Sequence, residues 1–402
     1  MRVQMRTVDI FFVVIMMIGM LVLWFILCFF SFGVLGFSFI LMRRAAARPW
    51  RLKTDRNAMP EVSVIVPTYN ESEVIGYKLE NLNRVDYPKI LAQIIVVDSD
   101  SEDDTVVISN DFAKHHPETS IKVLVENERK GKSAALNLAL KHCEGDVVIV
   151  SDADCFWPPD ILRKTLPFLG DPSVGAISGP KILLNPDQSW TTRTEGAYLN
   201  SMNLMKLGES KIGSTLFFEG GFSAYKRDVL KSFDPYNTGS DDCGTIISLA
   251  ENNFRAIFVP EARFYTTFPT VWKERVKLKI RRANQIVRVL WRYADLLLRR
   301  RITGSKKVIV QGFFNYVVGP VMFGAFLVAT VFLLLSFPYF ALIFPILLVP
   351  KVRSYLFEVV QNYFVLLLSI FSVVFGKKFL MWNQPKDRTL LNKDVLRRYG
   401  LI

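Results

Sequence analysis

Carboxylates that follow short apolar runs carry the chemistry in this chain. Ser63-Val64-Ile65-Val66 leads into Pro67-Thr68-Tyr69-Asn70-Glu71, Val96-Val97 into Asp98-Ser99-Asp100-Ser101, and Val147–Val150 into Ser151-Asp152-Ala153-Asp154. The two carboxylates of Asp152-x-Asp154 repel one another unless a cation joins them. Hard oxygen ligands suit Mg2+ or Mn2+, which in turn hold a diphosphate. A capped turn ahead of Pro158 is the plainer alternative. One Asp at a strand end often does no more than cap the next helix. Acids at two such ends, beside Thr-Tyr-Asn-Glu, make a stronger pattern. Arg129-Lys130-Gly131-Lys132-Ser133 opens a helical stretch, and Lys132 near a helix N-terminus favours an anion. The first Gly of a P-loop is missing, and a solvated basic loop competes with this reading. Gly239-Ser240-Asp241-Asp242 supplies paired acids, one of which can take a proton from a hydroxyl. The same residues also read as a helix N-cap with first-turn acids. If the helix starts there, Asp241 faces away from Asp242, because adjacent residues do not share a helix face. His115, His116 and His142 lie in helical stretches and offer no substitute base.

A sheet must hold these acids at one edge. Val62–Val66, Ile94–Val97, Ile121–Val125, Val147–Val150 and Val174–Ile177 read as strands, with amphipathic stretches near 73–84, 104–115, 132–142 and 159–168 between them. This alternation predicts βαβ units and a mostly parallel sheet, and continuous apolar strands predict a sheet covered on both faces. In such a sheet, ligands bind beyond the carboxyl ends of the strands, where these polar residues collect.

Ser63 to Glu71 closely resembles the opening strand of family 2 inverting glycosyltransferases with the GT-A fold. Val96-Val97-Asp98-Ser99-Asp100-Ser101-Glu102-Asp103-Asp104-Thr105 is similar to their second signature, Gly131-Lys132-Ser133-Ala134-Ala135-Leu136-Asn137 to their third, and Asp152-Ala153-Asp154 to their Asp-x-Asp. Order and spacing agree over residues 60–265. The resemblance implies that Asp98 binds the base or ribose of a nucleoside diphosphate sugar, with Pro67, Thr68, Tyr69, Glu71 and Asp100 also in the nucleotide-sugar site. It implies that Lys132 touches base or phosphate, that Asp152 contacts the nucleotide and that Asp154 ligates the metal. Ser99 stands where the family often has a second Asp. Phe217-Phe218-Glu219-Gly220-Gly221 resembles the acceptor-side motif of membrane glycan synthases, which implies acceptor contacts at Phe218, Glu219, Gly220, Gly221 and Asp241; a strand with a bulge is the alternative. Asp241-Asp242 sits where those synthases carry an acid pair, which implies Asp242 as the base of an inverting displacement. Gln285-Ile286-Val287-Arg288-Val289 is similar to the Gln-x-x-Arg-Trp of cellulose, chitin and hyaluronan synthases, but the Trp is absent; a second register puts Arg281-Arg282-Ala283 there. Arg281, Arg282, Gln285 and Arg288 are thus expected at the leaving diphosphate.

The remaining sequence supplies a membrane. Half of the 402 residues are hydrophobic and the formal charge is +13, with a mean hydropathy of +0.25. Disorder, collagen and a disulfide-stapled secreted module are excluded. The charge invites nucleic acid, but the hydrophobicity favours the anionic face of a membrane and no nucleic acid. Cys28, Cys143, Cys155 and Cys243 lack CxxC spacing, which argues against zinc. Residues 8–42 are nearly all apolar and read as one transmembrane helix; Arg43, Arg44, Arg48, Arg51 and Lys53 follow, marking the cytoplasmic side. Residues 271–301 carry eleven Lys/Arg against two acids, with apolar residues interleaved, and predict a helix on the membrane surface or packed on the soluble domain. Val308–Phe337, kinked at Pro320, and Tyr355–Phe375 predict two further crossings, with 338–350 interfacial or re-entrant.

The expected organisation is therefore a transmembrane helix over 1–45, a cytoplasmic GT-A α/β catalytic domain over 46–268, an amphipathic interface helix over 269–305, transmembrane segments over 306–376 and a basic cytoplasmic tail over 377–402. The expected activity is inverting, metal-dependent transfer from a UDP- or GDP-sugar to a lipid-linked acceptor in a multi-pass protein of the cell membrane, using Mg2+ or Mn2+ and contacting membrane lipids. A processive polysaccharide synthase with a glycan acceptor is the alternative. A non-catalytic nucleotide-sugar-binding subunit would be expected to lose its base or its Asp-x-Asp, and Asp242 and Asp154 are both present. A transporter would need buried ionisable residues that the terminal apolar region largely lacks.

Overall fold

The computed structural model describes residues 2–55, 57–302, 304–377 and 391–402. The chain opens with α1 (Arg2–Cys28) and α2 (Val34–Ala46), joined through a π-turn at Phe29–Gly33. Then follow β1 (Val62–Thr68), α3 (Ile75–Asn83), β2 (Ala92–Asp98), α4 (Thr105–His115), β3 (Ser120–Val125), α5 (Lys132–Leu140), β4 (Val147–Val150), α6 (Ile161–Thr165), β5 (Val174–Ser178) and β6 (Lys181–Leu183). The second half comprises α7 (Trp190–Ile212), β7 (Ser223–Lys226), α8 (Cys243–Glu251), β8 (Arg255–Phe258), β9 (Phe264–Thr266), α9 (Trp272–Leu298), α10 (Lys306–Phe313), α11 (Gly319–Ser336), α12 (Pro350–Val374) and α13 (Lys393–Arg398).

Seven strands form one sheet in the order β3-β2-β1-β4-β7-β5-β8, and β6 pairs with β9 in a second, two-stranded sheet. Only β7 runs antiparallel within the large sheet, against both β4 and β5. The side-chain period of two divides the apolar strands between two cores. Val64, Val66, Val96 and Ile149 face a core closed by α3 and α6. Ile65, Ile95, Val97, Val148 and Val150 face a core closed by α5 and α8. Strand order reverses between β1 and β4, and the crevice at that switch point is where doubly wound sheets bind ligands.

Three helical stretches among the described residues are long and apolar enough to cross a membrane: Phe11–Ala46, Lys306–Ser336 and Leu356–Val374. A π-turn at Phe314–Val318, just before Pro320, interrupts the second, and Pro338–Leu348 forms 3-10 turns. Polar bonds tie the bundle together, as expected where apolar contact alone does not drive helix pairing. Trp24 Nε1 donates to Thr330 Oγ1 at 2.8 Å, and Ser38 Oγ donates to Asn315 Oδ1 at 3.2 Å.

Helix α9 does not simply lie on a surface. Its Ala283 and Val287 are buried against Phe323, Val359, Tyr363 and Leu366 of α11 and α12, and its Val289, Leu290, Tyr293 and Leu296 against Leu216, Phe217 and Ile247 of the catalytic domain. Arg275 is fully buried, with Nε bonded to Glu195 at 3.0 Å and Nη2 to Glu358 at 3.2 Å. Lys279 reaches the same Glu358 and Asn362. This chain of charges clasps α9 between α7 and α12. Of the basic tail, residues 378–390 lie outside the described residues; Leu391, Leu396, Leu401 and Ile402 return to pack in the core beside α3.

Candidate functional site

A cavity of about 1370 Å³ opens at the β1/β4 switch point and extends to the long apolar helices, from Thr68, Lys132, Asp152 and Asp154 to Leu35, Phe39, Tyr316, Phe357 and Leu366. Strand β4 ends at Val150, so Ser151 to Asp154 turn out over the sheet edge. Asp152 N donates to the Gly220 carbonyl at 3.1 Å, which brings the 217–221 segment against the 151–154 turn. A Cβ at position 220 would lie 2.6 Å from Asp152 Oδ2, and one at position 221 would lie 2.1 Å from the Phe264 ring. Both glycines therefore sit at close approaches to side chains of the chain itself.

Lys132, the first residue of α5, joins the two acidic loops. Its Nζ sits 2.7 Å from Asp152 Oδ1 and 2.8 Å from Asp241 Oδ2. Burial lowers the Lys132 pKa, but Asp152, Asp241 and Asp242 outweigh it and hold the ammonium well above its ordinary range. Burial raises Asp152, but Lys132 outweighs this and keeps its carboxyl below the ordinary value. Asp154 is pushed up by burial and by the like charge of Asp152. The Asp241 carboxyl rises to about 6, through burial first and then Asp242 and Asp152, against the pull of Lys132.

Asp242 is the N-cap of α8. Its Oδ1 accepts from Cys243 N at 2.6 Å and from Ser240 Oγ at 2.5 Å. The expectation that Asp241 faces away fails: both acids precede the helix, which starts at Cys243, and both line the cavity. Glu219 lies 2.6 Å from Lys206 and 3.3 Å from Lys181; burial works against ionisation, yet these cations hold its carboxyl far below the ordinary range. Arg281 and Arg282 also line the cavity. Arg281 Nε is buried without a hydrogen-bond partner, and burial brings that guanidinium down to about 10 despite the pull of Asp152, Asp241 and Asp242.

Pro67, Thr68, Tyr69 and Glu71 line the cavity where they were expected, joined by Ser99 and Arg129. The Arg129 guanidinium lies 3.6 Å from the centre of the Tyr69 ring, a stacked pair that the sequence reading did not single out. Three residues fall away from the cavity. Asp98 is fully buried and accepts from Thr68 Oγ1 at 2.9 Å, Ser101 N at 2.8 Å and Ser101 Oγ at 2.6 Å, so it shapes the ends of β1 and β2. Asp100 is exposed with a φ of 61°. Arg288 donates to the Asn237 carbonyl at 2.6 Å. Gln285 lines the cavity and donates to the Gly239 carbonyl. Gln285 and Arg288 thus anchor the loop that presents Asp241 and Asp242. Phe218 is buried beside Tyr225 under the same loop.

Asp152, Asp154 and Cys155 offer donor atoms within 4.8 Å of one another. Cys155 Sγ donates to Asp154 Oδ1 at 3.5 Å, and a soft sulfur suits Mg2+ or Mn2+ poorly. Two hard carboxylates beside a basic anion site fit Mg2+ or Mn2+, with a diphosphate and water completing the shell.

Residues 60–285 match the family described as glycosyltransferase-like family 2, more than half of the 402 residues. The chain belongs to that family. The family 2 domain thus covers the sheet, both acidic loops and the first half of α9. The mannosyltransferase PcManGT from Pyrobaculum calidifontis, solved in complex with GDP-Man and Mn2+, is similar with a TM-score of 0.76 and 27% identity, covering 89% of this chain and 100% of that one. An N-acetylglucosaminyltransferase of Rhizobium meliloti is 29% identical over 243 residues, 57% of this chain and 56% of the relative. A beta-monoglucosyldiacylglycerol synthase of Synechocystis sp. is 34% identical over 138 residues, 34% of this chain and 29% of the relative. The chain therefore spans about half or less of these two relatives. The expected GT-A fold, a mostly parallel sheet with apolar helices at both ends, is the fold found.

Proposed function

We propose that this protein transfers a sugar from a UDP- or GDP-sugar to a lipid-linked acceptor at the cytoplasmic face of a membrane, with inversion at the anomeric carbon. The observation that carries the reading is the continuity of one cavity from the Asp152–Asp154 turn to apolar side chains of the membrane helices, among them Leu35, Phe39, Phe357 and Leu366. A lipid acceptor needs such a path, with its head at the donor site and its chains among apolar residues. Relatives support it: one is named for synthesis of a glucosyldiacylglycerol, and PcManGT was solved with GDP-Man and Mn2+.

Each residue then has a task. Tyr69, backed by Arg129, offers a face for the base. Lys132 and Arg281 hold the diphosphate by charge-assisted bonds. Asp154, with Asp152, would hold the divalent ion, which neutralises charge building on the leaving diphosphate. Asp242 takes the proton of the acceptor hydroxyl. That oxygen's electron pair forms the new bond to the anomeric carbon as the bond to the diphosphate breaks on the opposite face. Glu219, kept ionised by Lys206 and Lys181, accepts hydrogen bonds from the acceptor without competing for its proton.

Two features support the topology. Arg43, Arg44, Arg48, Arg51 and Lys53 after the first apolar helix favour the cytoplasmic side for the catalytic domain. Docking of 391–402 on that domain puts both on one side, which α11 and α12 satisfy as two crossings. A processive synthase is the second reading, favoured by the Phe217–Gly221 segment against the 151–154 turn and by Asn315, Glu358 and Asn362 in the lining; Leu35, Phe39, Phe357 and Leu366 in the same lining favour the lipid. Purified protein in membranes with Mn2+ and a panel of radiolabelled nucleotide sugars tests the donor assignment. One of them is expected to be consumed and EDTA to stop it; consumption of none contradicts it.

A further inference from the structure

Helix α3 buries two polar side chains that lie outside the recognised motifs. Lys78 is 0% exposed and Asn81 1%. Spaced by three, they share a helix face, and that face sits beneath the turn from Ser151 to Trp157. Lys78 Nζ donates to Ser151 Oγ at 2.6 Å and to the Cys155 carbonyl at 2.5 Å, and lies 4.6 Å from the centre of the Trp157 ring. Asn81 Oδ1 accepts from Trp157 N at 2.8 Å, while Nδ2 donates to the Trp157 carbonyl at 2.8 Å and the Leu401 carbonyl at 2.7 Å. The turn is therefore gripped on both sides of Asp152 and Asp154.

The grip continues to the acceptor side. Ser151 Oγ, which accepts from Lys78, donates to the Gly221 carbonyl at 2.9 Å, and Trp157 Nε1 donates to that same carbonyl at 2.8 Å. One helix face thus ties together the donor turn, the Gly220–Gly221 segment and the C-terminal residues. Packing does not explain the lysine. A buried ammonium is unfavourable, and burial lowers this one to about 7; a methionine would fill the volume without that penalty.

We infer that Lys78 and Asn81 are positioning residues that hold Asp152 and Asp154 at the spacing a divalent cation and a diphosphate require, with docked segment 391–402 fixing Asn81. This rests on the metal reading of Asp154. Neither residue touches the nucleotide site directly, so both act through the turn. Partners that orient ligands in this way typically change metal affinity or activity by roughly 10–100-fold when removed.

The test titrates Mn2+ into the full-length protein with UDP or GDP, followed by calorimetry. Thermal midpoint and hydrogen exchange of the 151–157 amides are read in parallel. Lys78→Met is expected to weaken Mn2+ binding by roughly 10–100-fold and to speed exchange across the turn; on the midpoint, loss of a buried ammonium and loss of a donor to the Cys155 carbonyl act in opposite directions. A residue that served only packing would leave Mn2+ binding and exchange unchanged. Asn81→Ala is expected to weaken binding with a lower midpoint, since Trp157 and Leu401 lose partners. Leu396→Asp, which expels the C-terminal segment from the core, is expected to weaken Mn2+ binding in the same direction. Mn2+ affinity within twofold of wild type in Lys78→Met, with unchanged exchange, overturns the inference. Unchanged affinity in Leu396→Asp removes the C-terminal segment from it. Wild-type protein that binds no Mn2+, or Asp154→Ala that binds it normally, overturns instead the metal reading beneath it.

Discussion

Asp242→Asn separates chemistry from structure at the acidic loop. Asp242 Oδ1 caps α8 by accepting from Cys243 N, and it also accepts from Ser240 Oγ. Asn keeps that oxygen and is as good an N-cap as Asp, so the loop should keep its shape and the midpoint should move little. What is lost is a carboxylate able to take a proton. General base catalysis contributes roughly 10²–10⁴-fold, about 3–5 kcal/mol on the barrier at 1.36 kcal/mol per decade. Steady-state kinetics with donor varied at saturating acceptor should show kcat down by that factor and the donor KM nearly unchanged, because Lys132 is bonded to Asp152 and Asp241, not to Asp242. Asp241→Asn should do the reverse. It removes one of two carboxylates from Lys132, so the lysine's hold on the donor side should shift and KM should change more than kcat. The structure makes this contest sharp, since Asp241 also lines the cavity and its carboxyl is raised to about 6, close to where a general base works best at neutral pH. Asp242→Asn transferring at the wild-type rate, with Asp241→Asn inactive, would refute the assignment and move the base by one residue.

Asp154→Ala should reduce donor turnover to background, and added Mn2+ should not restore it; wild-type activity in excess EDTA would sink the metal assignment. Glu209 on α7 is buried and raised from 4.5 to about 7, chiefly by burial. The native state therefore holds more protons than the unfolded chain across that window, so stability should fall as pH rises from about 4.5 to 7, by on the order of 3 kcal/mol. Denaturant midpoints measured across that range should fall in wild type and fall less in Glu209→Gln, since the raised Asp241 carboxyl contributes the same sign; equal slopes would contradict it. Protease applied outside right-side-out cells should spare residues 60–268, and cleavage there before lysis would reverse the topology.

The sheet-edge half of the cavity was legible because local signals coincide there. Apolar runs alternate between two cores, and each run ends in its polar residues at the same sheet edge, so Thr68, Lys132, Asp152 and Asp154 are placed by sequence order alone. Asp98 shows where that logic stops. Its position at a strand end is right, yet Thr68 and Ser101 take up its carboxylate, and no local pattern states which neighbour claims an acid. Arg288 and Gln285 were read as diphosphate ligands from their similarity to the Gln-x-x-Arg-Trp of membrane synthases. The structure gives them to carbonyls of the 237–239 loop, partners about 50 residues away. Helix α7 escaped detection because its buried side includes Glu195, Lys206 and Glu209, so apolar periodicity is weak. The same holds for Arg275, whose burial depends on Glu195 and Glu358 from two other helices. Buried polar groups are allowed only by partners distant in sequence, and such partners leave no periodic signal.

The account stands or falls on where the sugar goes. Membranes containing the protein should be incubated with the accepted radiolabelled donor and Mn2+, extracted into organic solvent, and both phases sized. Label is expected in the organic phase on a lipid bearing a single added sugar, and is expected to be lost in Asp242→Asn. Label confined to an aqueous polymer that lengthens with time would contradict it and establish the processive reading instead.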